Sequence, residues 1–248
     1  MKATLDAPCV GSGPLVVLVH GSVVGASVTW RKQLPLAQHW TLCMPNRPGF
    51  GASPSRGRGD FEAEAPLIAD LLGDGAHLVG HSYGAVIALF AAALRPDAVR
   101  SLTISEPGSL TVAAGDPAVD AMLVSGRELY RRAPEMEPRQ LLAFFRAGAG
   151  STHVIPDELD GDLLAGVRLL MAERPPWDVP PPLDELARTT FPTLVISGGH
   201  SEVFEEVCDR IAERLDAERA VIRGRGHSIP ATGDAYNERL DAFLRSVG

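Results

Sequence analysis

The sequence Gly-His-Ser-Tyr-Gly at residues 80–84 constrains this 248-residue chain more than any other stretch. It follows a short apolar run at 76–79 and opens a small-residue helical stretch at 85–94. A strand that turns sharply into a helix leaves no room for bulk beside the turn, and the two glycines meet that demand. The first N–H groups of the helix favour negative charge beside Ser82. The pattern predicts that Ser82 is a nucleophile; the alternative is a tight turn with a chance serine.

Charge and composition narrow the classes of partner. The net charge is −8 and 45% of the residues are hydrophobic, which is typical of a globular chain and argues against nucleic acid or an anionic membrane as partner. The first ten residues lack a signal-peptide core and no apolar run approaches membrane-spanning length, so a cytoplasmic protein is expected. Cys9, Cys43 and Cys208 are widely spaced, which predicts neither a disulfide framework nor a zinc site. We expect a small-molecule substrate and neither metal nor cofactor; the oligomeric state stays open.

Strand and helix patterns alternate along most of the chain. The continuous apolar run at 14–20 is typical of a strand buried on both faces of a parallel sheet. Further strands are predicted at 40–44, 76–79, 99–105, 191–197 and 219–222, and helices at 61–72, 85–94 and 203–215, with a last helix at the C-terminus. The fold class predicted is α/β, with a mostly parallel twisted sheet flanked by helices.

Residues 109–182 interrupt this alternation. Helical stretches near 117–132, 138–147 and 157–173 carry apolar stripes and end in a proline-rich strap at 174–182. We predict a helical cap, residues 109–182, inserted into a core formed by residues 1–108 and 183–248. A substrate pocket is expected under the cap, lined by Val23, Phe144, Phe145, Met171 and Trp177.

Glu106 stands 24 positions after Ser82, directly after the strand predicted at 99–105. Neighbouring parallel strands end at the same edge of a sheet, so this carboxylate can reach a histidine that bridges to the serine. A serine hydroxyl is a weak nucleophile, and it needs such a base together with a group that holds the base in position.

The sequence resembles the α/β-hydrolase superfamily over nearly its whole length, as a cap-bearing serine hydrolase. The resemblance rests on the Gly-x-Ser-x-Gly turn, on His20-Gly21 after the first strand, and on the Pro-Gly-Phe-Gly stretch at 48–51. It implies that the backbone N–H groups of Ser22 and Tyr83 form the oxyanion hole. It also implies that His227, late in the chain and after the last strand, is the catalytic histidine.

The acid departs from the usual pattern of the superfamily. Most relatives carry an aspartate a few residues after the strand that here ends at Ser197, but Gly198-Gly199-His200 is followed by Ser201. Haloalkane dehalogenases of one branch and zearalenone-type lactone hydrolases place the acid after the strand that follows the nucleophile, and Glu106 occupies that place. Glu202, beside the vacant site, is the alternative acid, and an impaired triad is the third possibility.

These residues predict a cofactor-independent serine hydrolase of esterase or lactonase type, acting on a small-to-medium apolar substrate through a Ser-His-Glu triad. The same triad could serve thioesters, carbon–carbon bonds or a hydroxynitrile-lyase elimination. A non-catalytic ligand-binding protein on the same fold is the alternative from another class. A cofactor-dependent enzyme lacks support, because the sequence has no phosphate-binding glycine loop.

Overall fold

The computed structural model describes residues 5–247, which form one seven-stranded sheet in the order β1-β3-β2-β4-β5-β6-β7. β1 pairs antiparallel with β3, and all the other pairings are parallel. The strands are β1 Cys9–Val10, β2 Leu15–Val19, β3 Thr41–Cys43, β4 Ala76–His81, β5 Val99–Ser105, β6 Thr193–Ser197 and β7 Glu218–Val221. The predicted fold class, a mostly parallel sheet flanked by helices, is confirmed.

Helices follow most of the strands. They are α1 Ala26–Thr29, α2 Phe61–Asp70, α3 Tyr83–Leu94, α4 Pro117–Arg132, α5 Pro138–Gly148, α6 Gly161–Met171, α7 Leu183–Leu186, α8 Glu202–Leu215 and α9 Asp234–Ser246. Short 3-10 turns occupy Leu34–Gln38, Pro96–Ala98, Leu110–Ala113, Ala133–Glu135 and Ile229–Thr232. Three of the helices begin at an aspartate whose carboxylate accepts backbone N–H groups of the first turn: Asp60, Asp116 and Asp160. Such a cap contributes about 1 kcal/mol to helix stability.

Apolar layers cover both faces of the sheet. Every residue of β4 is buried, as expected for a central strand with helices on either side. One layer packs α2, α3 and α8 against the sheet. The other packs Trp30 and the C-terminal helix α9 against the opposite face, where Tyr236 and Phe243 are fully buried. This core fixes the strands whose ends carry the site.

The pairing of β4 with β5 brings two distant residues together. His81 lies opposite Ser105 in the parallel register, so the next residues, Ser82 and Glu106, leave the sheet side by side. The Ser82 N–H donates to the Ser105 carbonyl at 2.9 Å, and the Glu106 N–H donates to the Ile196 carbonyl at 3.0 Å. Both residues are thus anchored to the carboxyl edge of the sheet.

The helices α4, α5 and α6 lie between β5 and β6 and belong to residues 109–182, here called the helical segment. Its small apolar cluster also includes Val23 of the core, and Leu141, Leu142 and Val167 are fully buried in it. At Gly166 it touches the core directly, because a Cβ there would lie 1.7 Å from the Val23 carbonyl oxygen. Only glycine permits α6 to pack this closely on the loop after β2.

The cysteines are a correction to the sequence prediction. Cys9 and Cys43 lie opposite each other in the antiparallel β1–β3 pair and form a disulfide, although 34 residues separate them. Sequence spacing alone could not reveal that a two-residue edge strand brings them together. Cys208 is buried and free.

Within the described residues, no helix combines the length and the apolar character needed to cross a membrane.

Candidate active site

Ser82 lies in a backbone conformation that L-residues rarely adopt, with φ 56° and ψ −122°. The turn is closed so tightly that a Cβ at Gly80 would lie 2.5 Å from the Gly84 carbonyl oxygen. A Cβ at Gly84 would lie 2.3 Å from the carbonyl oxygen of Val19. Both glycines are therefore required, and the strained turn presents the serine hydroxyl above the end of β4.

His227 connects the serine to a carboxylate. Its Nε2 lies 2.9 Å from Ser82 Oγ, and its Nδ1 lies 2.6 Å from Glu106 Oε2. A carboxylate only accepts, so Nδ1 carries the proton and Nε2 is free to accept the serine proton. The loop is held by His81, whose Nε2 donates to the His227 carbonyl at 2.7 Å, and by the Phe204 ring, 4.7 Å from the imidazole centroid.

Glu106 is fully buried, and its second oxygen also has a donor. The Gly198 N–H donates to Oε1 at 2.6 Å. Burial alone would raise the pKa of Glu106, but the nearby His200 imidazole and the hydrogen bonds from His227 and the Gly198 N–H outweigh it and lower the pKa to about 2. Glu106 is therefore a carboxylate at every physiological pH.

Glu202, the alternative acid, lies elsewhere. It is the first residue of α8 and is exposed, whereas Phe204 of the same helix contacts the imidazole of His227. The helix begins at this point, so the Glu202 side chain projects to the surface. The structure brings Glu106, and not Glu202, to His227.

His200 is a site residue that sequence reasoning missed. Its Nδ1 lies 3.3 Å from Glu106 Oε1, and its Nε2 lies 3.0 Å from the carbonyl oxygen of Ala149 in the helical segment. Only Nε2 makes a hydrogen bond, but Glu106 lies close enough to Nδ1 to raise the pKa of His200. The available signal was its place directly after Gly199 at the carboxyl end of β6, the edge that also carries Ser82.

The loop after β2 is held from behind by two donors. The Gly21 carbonyl accepts from His20 Nδ1 at 2.8 Å and from Arg47 Nη1 at 3.0 Å. In a planar trans peptide the C=O and the next N–H point in opposite directions, so the Ser22 N–H points away from these donors. The Tyr83 N–H belongs to the first turn of α3, where the helix supplies no acceptor. Two backbone donors are thereby available beside Ser82.

A buried ion-pair cluster lies under that loop, and sequence reasoning gave its member Glu173 no role. Arg47 pairs with Glu64 at 2.7 Å and with Glu173 at 3.0 Å. The Ser22 hydroxyl donates to the other oxygen of Glu173 at 2.5 Å. Burial raises the pKa of Glu173, and Arg47 opposes that shift. Because Glu173 follows α6, the cluster ties the helical segment to the loop.

Two cavities meet at Ser82. One, of about 280 Å³, is here called the basic cavity, and the other, of about 330 Å³, the apolar cavity. Both are lined by Ser22, Ser82, Phe145, Ala149 and His227. The basic cavity adds Val23, Arg31, Lys32, Arg146 and His153, among others. The apolar cavity adds Leu110, Met122, Leu129, Tyr130, Phe144, Pro176 and Trp177, among others.

Four of the five residues predicted for the pocket line these cavities, and Met171 does not. Met171 is the last residue of α6 and packs, half-buried, against the cluster that includes Leu141 and Leu142 of α5. The helical period placed Met171 on an apolar face correctly, but that face meets a neighbouring helix and not the cleft. The prediction that Met171 lines the pocket is therefore wrong.

Within residues 5–247, no three histidine, cysteine, aspartate or glutamate side chains come close enough to hold a metal ion. His77 and His81, the pair with helical-type spacing, have separate partners. The Nδ1 of His77 lies 2.7 Å from the Ser101 hydroxyl, and His81 binds the loop of His227.

Known proteins share a family and sequence similarity with this chain. The model of the family described as "Alpha/beta hydrolase family" matches residues 16–239. A pimeloyl-[acyl-carrier protein] methyl ester esterase from Methylococcus capsulatus is 33% identical over 173 residues, 68% of this chain and 65% of that protein. A second one, from Chromobacterium violaceum, matches over 38% of this chain and 37% of its own length, so the chain spans less than two thirds of these two relatives.

Other relatives match over nearly the whole chain. Lipase LipV from Mycobacterium tuberculosis is 29% identical over 95% of this chain and 94% of its own length. The crystal structure of an alpha/beta hydrolase from Sphaerobacter thermophilus superimposes with a TM-score of 0.69 at 25% identity, over 97% of this chain and 96% of that one. The relatives named here are thus two esterases, a lipase and a further alpha/beta hydrolase.

Proposed function

Because this chain belongs to the alpha/beta hydrolase family, we propose that it is a serine esterase that cleaves a carboxylic ester, open or cyclic, through an acyl-enzyme. One observation carries the proposal. The unbroken contacts from Ser82 Oγ to His227 Nε2 at 2.9 Å and from His227 Nδ1 to Glu106 at 2.6 Å form a relay of nucleophile, base and acid.

In the first half of the reaction, Ser82 Oγ attacks the acyl carbonyl while His227 Nε2 takes its proton. The imidazolium then returns that proton to the departing alcohol oxygen, which leaves an acyl group on Ser82. In the second half, His227 Nε2 takes a proton from water while the water oxygen attacks the acyl group. The proton then returns to Ser82 Oγ, which releases the carboxylic acid and restores the serine. Glu106 stays ionised throughout and stabilises the imidazolium, as its low pKa requires.

The negative oxygen of each tetrahedral intermediate would be bound by the N–H groups of Ser22 and Tyr83. The donors behind the Gly21 carbonyl hold the first, and the start of α3 supplies the second. Removing one such donor costs about 3 kcal/mol of transition-state stabilisation in serine hydrolases. The helical segment would act as a cap that covers the substrate and excludes water.

A second candidate rests on one relative. A 2-hydroxy-6-oxo-6-phenylhexa-2,4-dienoate hydrolase from Burkholderia cepacia is 30% identical over 95% of this chain and 86% of its own length. The same three side chains could therefore serve carbon–carbon bond hydrolysis. Ester hydrolysis is preferred because two of the relatives are named as methyl ester esterases and a third, which matches over nearly the whole chain, as a lipase.

The test is hydrolysis of 4-nitrophenyl esters of short fatty acids, together with labelling by a fluorophosphonate. We expect turnover that Ser82→Ala abolishes, and a phosphonate adduct on Ser82 in the tryptic digest. Ser55→Ala, an exposed loop serine, is the matched control and should keep full activity.

Labelling of Ser82 without turnover of any ester or lactone would favour the carbon–carbon candidate. Neither labelling nor turnover would favour a ligand-binding protein on a hydrolase fold.

A further inference from the structure

The basic cavity is lined by positively charged side chains, although the chain as a whole is acidic. Its charged lining residues are Arg31, Lys32 and Arg146, with His153 beside them. Among residues 5–247, no aspartate or glutamate lines either cavity. Since the chain as a whole carries a net charge of −8, a cleft whose charged lining residues are all cations departs from its average surface. The nucleophile thus lies at the inner end of a locally positive cavity.

Arg146, in the last turn of α5, is the half-buried member of this set. Its guanidinium donates to backbone carbonyls only, at 3.0 Å from Val154 and 3.4 Å from His153. No carboxylate of the described chain lies within ion-pair distance of it. Burial lowers the pKa of the Arg146 guanidinium, which means that its charge is partly desolvated without a counterion. An anion in the cavity would stabilise that charge.

Other elements add charge around the same space. Arg31 and Lys32 follow α1 and are exposed, again without an ion-pair partner in the part of the chain that the structure describes. Burial, together with the positive charges of Arg146, Arg225 and Arg31, lowers the pKa of His153. Cations from three separate segments therefore act on one point, and His153 is left neutral between them at neutral pH.

We propose that the basic cavity binds an anionic group of the ester substrate, a carboxylate or a phosphate, while the apolar cavity takes the other side of the scissile bond. This inference rests on the ester hydrolysis proposed above and names the substrate class of that site. A guanidinium binds either anion through two parallel hydrogen bonds, and the exposed cations raise the local concentration of the anionic substrate. The substrate is accordingly an amphipathic ester, apolar at one end and charged at the other.

Matched substrates test this inference. One series places the anion on the alcohol side of the ester bond: the butyrate esters of 3-hydroxypropanoate and of ethylene glycol monophosphate are anionic, and that of 3-hydroxypropanamide is neutral. The other series places the anion on the acyl side: 4-nitrophenyl hydrogen adipate is anionic, and 4-nitrophenyl hexanoate is neutral. In at least one series the anionic ester should have a kcat/KM at least about tenfold above its neutral partner at low ionic strength, and 0.5 M NaCl should remove most of that advantage. The preferred ester tells which side of the bond the cavity binds and whether it prefers carboxylate or phosphate.

Variants locate the effect. Arg146→Gln should lower kcat/KM for the preferred anionic ester about tenfold, mainly through KM, and at least fivefold more than for its neutral partner. Arg31→Gln, at an exposed position, should show the same selectivity with a smaller loss, and it serves if Arg146→Gln fails to fold. Arg210→Gln, an exposed arginine of α8 that lines neither cavity, is the matched control and should leave the preference intact.

Equal or better turnover of the neutral esters in both series would overturn the inference, as would equal losses for both substrates in Arg146→Gln and Arg31→Gln. Turnover of the neutral esters keeps the two proposals distinguishable. If wild-type protein hydrolyses them without preference for anions, only the anionic substrate class is wrong. If it hydrolyses no ester at all, the esterase proposal itself is wrong.

Discussion

The two cavities that meet at Ser82 share a centre but differ in the physics by which they can bind. The apolar cavity has no charged side chain in its lining, so its affinity must come from the burial of apolar surface. The basic cavity has arginine and lysine around its wall, so its affinity depends on charge and on salt. Neighbouring residues of α5 contribute to this contrast: Phe145 lines both cavities, and Arg146 lines only the basic one. One helix can therefore separate an apolar from a charged surface within a single residue step.

The largest expected effect tests whether one catalytic centre serves both cavities. Glu106→Gln should lower kcat by about 10⁴-fold for apolar and anionic esters alike, because the amide cannot hold the Nδ1 proton of His227 in place. Glu202→Gln, the matched control, should change kcat less than twofold. Steady-state kinetics on one ester of each class decides. A loss confined to one class would mean that the cavities do not share a centre.

The next largest effect concerns the ion-pair cluster under the loop after β2, and it is an effect on the stability of the fold. Arg47→Met leaves Glu64 and Glu173 buried without their cation, which should lower the free energy of unfolding by about 3–5 kcal/mol. Urea denaturation followed by circular dichroism measures this. Arg131→Met removes an exposed pair with Glu128 and should leave the urea midpoint unchanged. Equal midpoints for the two variants would mean that the buried cluster does not hold the loop.

Acid should weaken the shared centre through Glu106. The pKa of Glu106 is lowered from 4.5 to about 2 in the folded chain, so this carboxylate stabilises the fold fully above pH 4.5. That contribution, up to about 3 kcal/mol, is lost as the pH falls from about 4.5 towards 2. Urea midpoints at pH 5 and pH 3 should therefore differ less in Glu106→Gln than in the wild-type protein. An identical pH dependence in both would contradict the lowered pKa.

The smallest expected effect concerns the apolar cavity and the length of the apolar chain of the substrate. Each methylene added to the apolar chain of the substrate should raise kcat/KM about fourfold, the equivalent of about 0.8 kcal/mol, until the apolar cavity is full. Leu129→Asn, in the wall of this cavity, should flatten that slope. Val124→Asn, an exposed position on the same helix, should not. If 0.5 M NaCl reduced this increase per methylene as strongly as it reduces the preference for anionic esters, the two cavities would not differ in how they bind.

Sequence reasoning succeeded where chemistry and position along the chain coincide. The strained turn at Ser82, the late histidine His227 and the glutamate at the end of the next strand were named from the sequence, and the structure brings the three side chains into contact. The α/β fold followed from apolar runs that alternate with amphipathic stretches.

Sequence reasoning failed where a residue's role depends on which neighbour its face meets. Met171 lies on the apolar stripe of its helix but packs on α5. Cys9, in a two-residue strand, forms a disulfide with Cys43 of the neighbouring strand. His200 and Glu173 were missed for a related reason. Each lies beside a site residue that is far away in the sequence, Glu106 in the first case and Ser22 in the second.

The sequence by itself determined the order of the elements, the turn that strains Ser82 and the absence of the usual acid after β6. These are local properties, set by backbone sterics and by the apolar pattern of a few consecutive residues. Only the tertiary structure decided which glutamate reaches His227, which side chains line each cavity and that cations of two distant segments, Arg31 with Lys32 and Arg146, line the same one. Those outcomes depend on strand register and helix packing, because they bring together side chains that the linear chain keeps far apart.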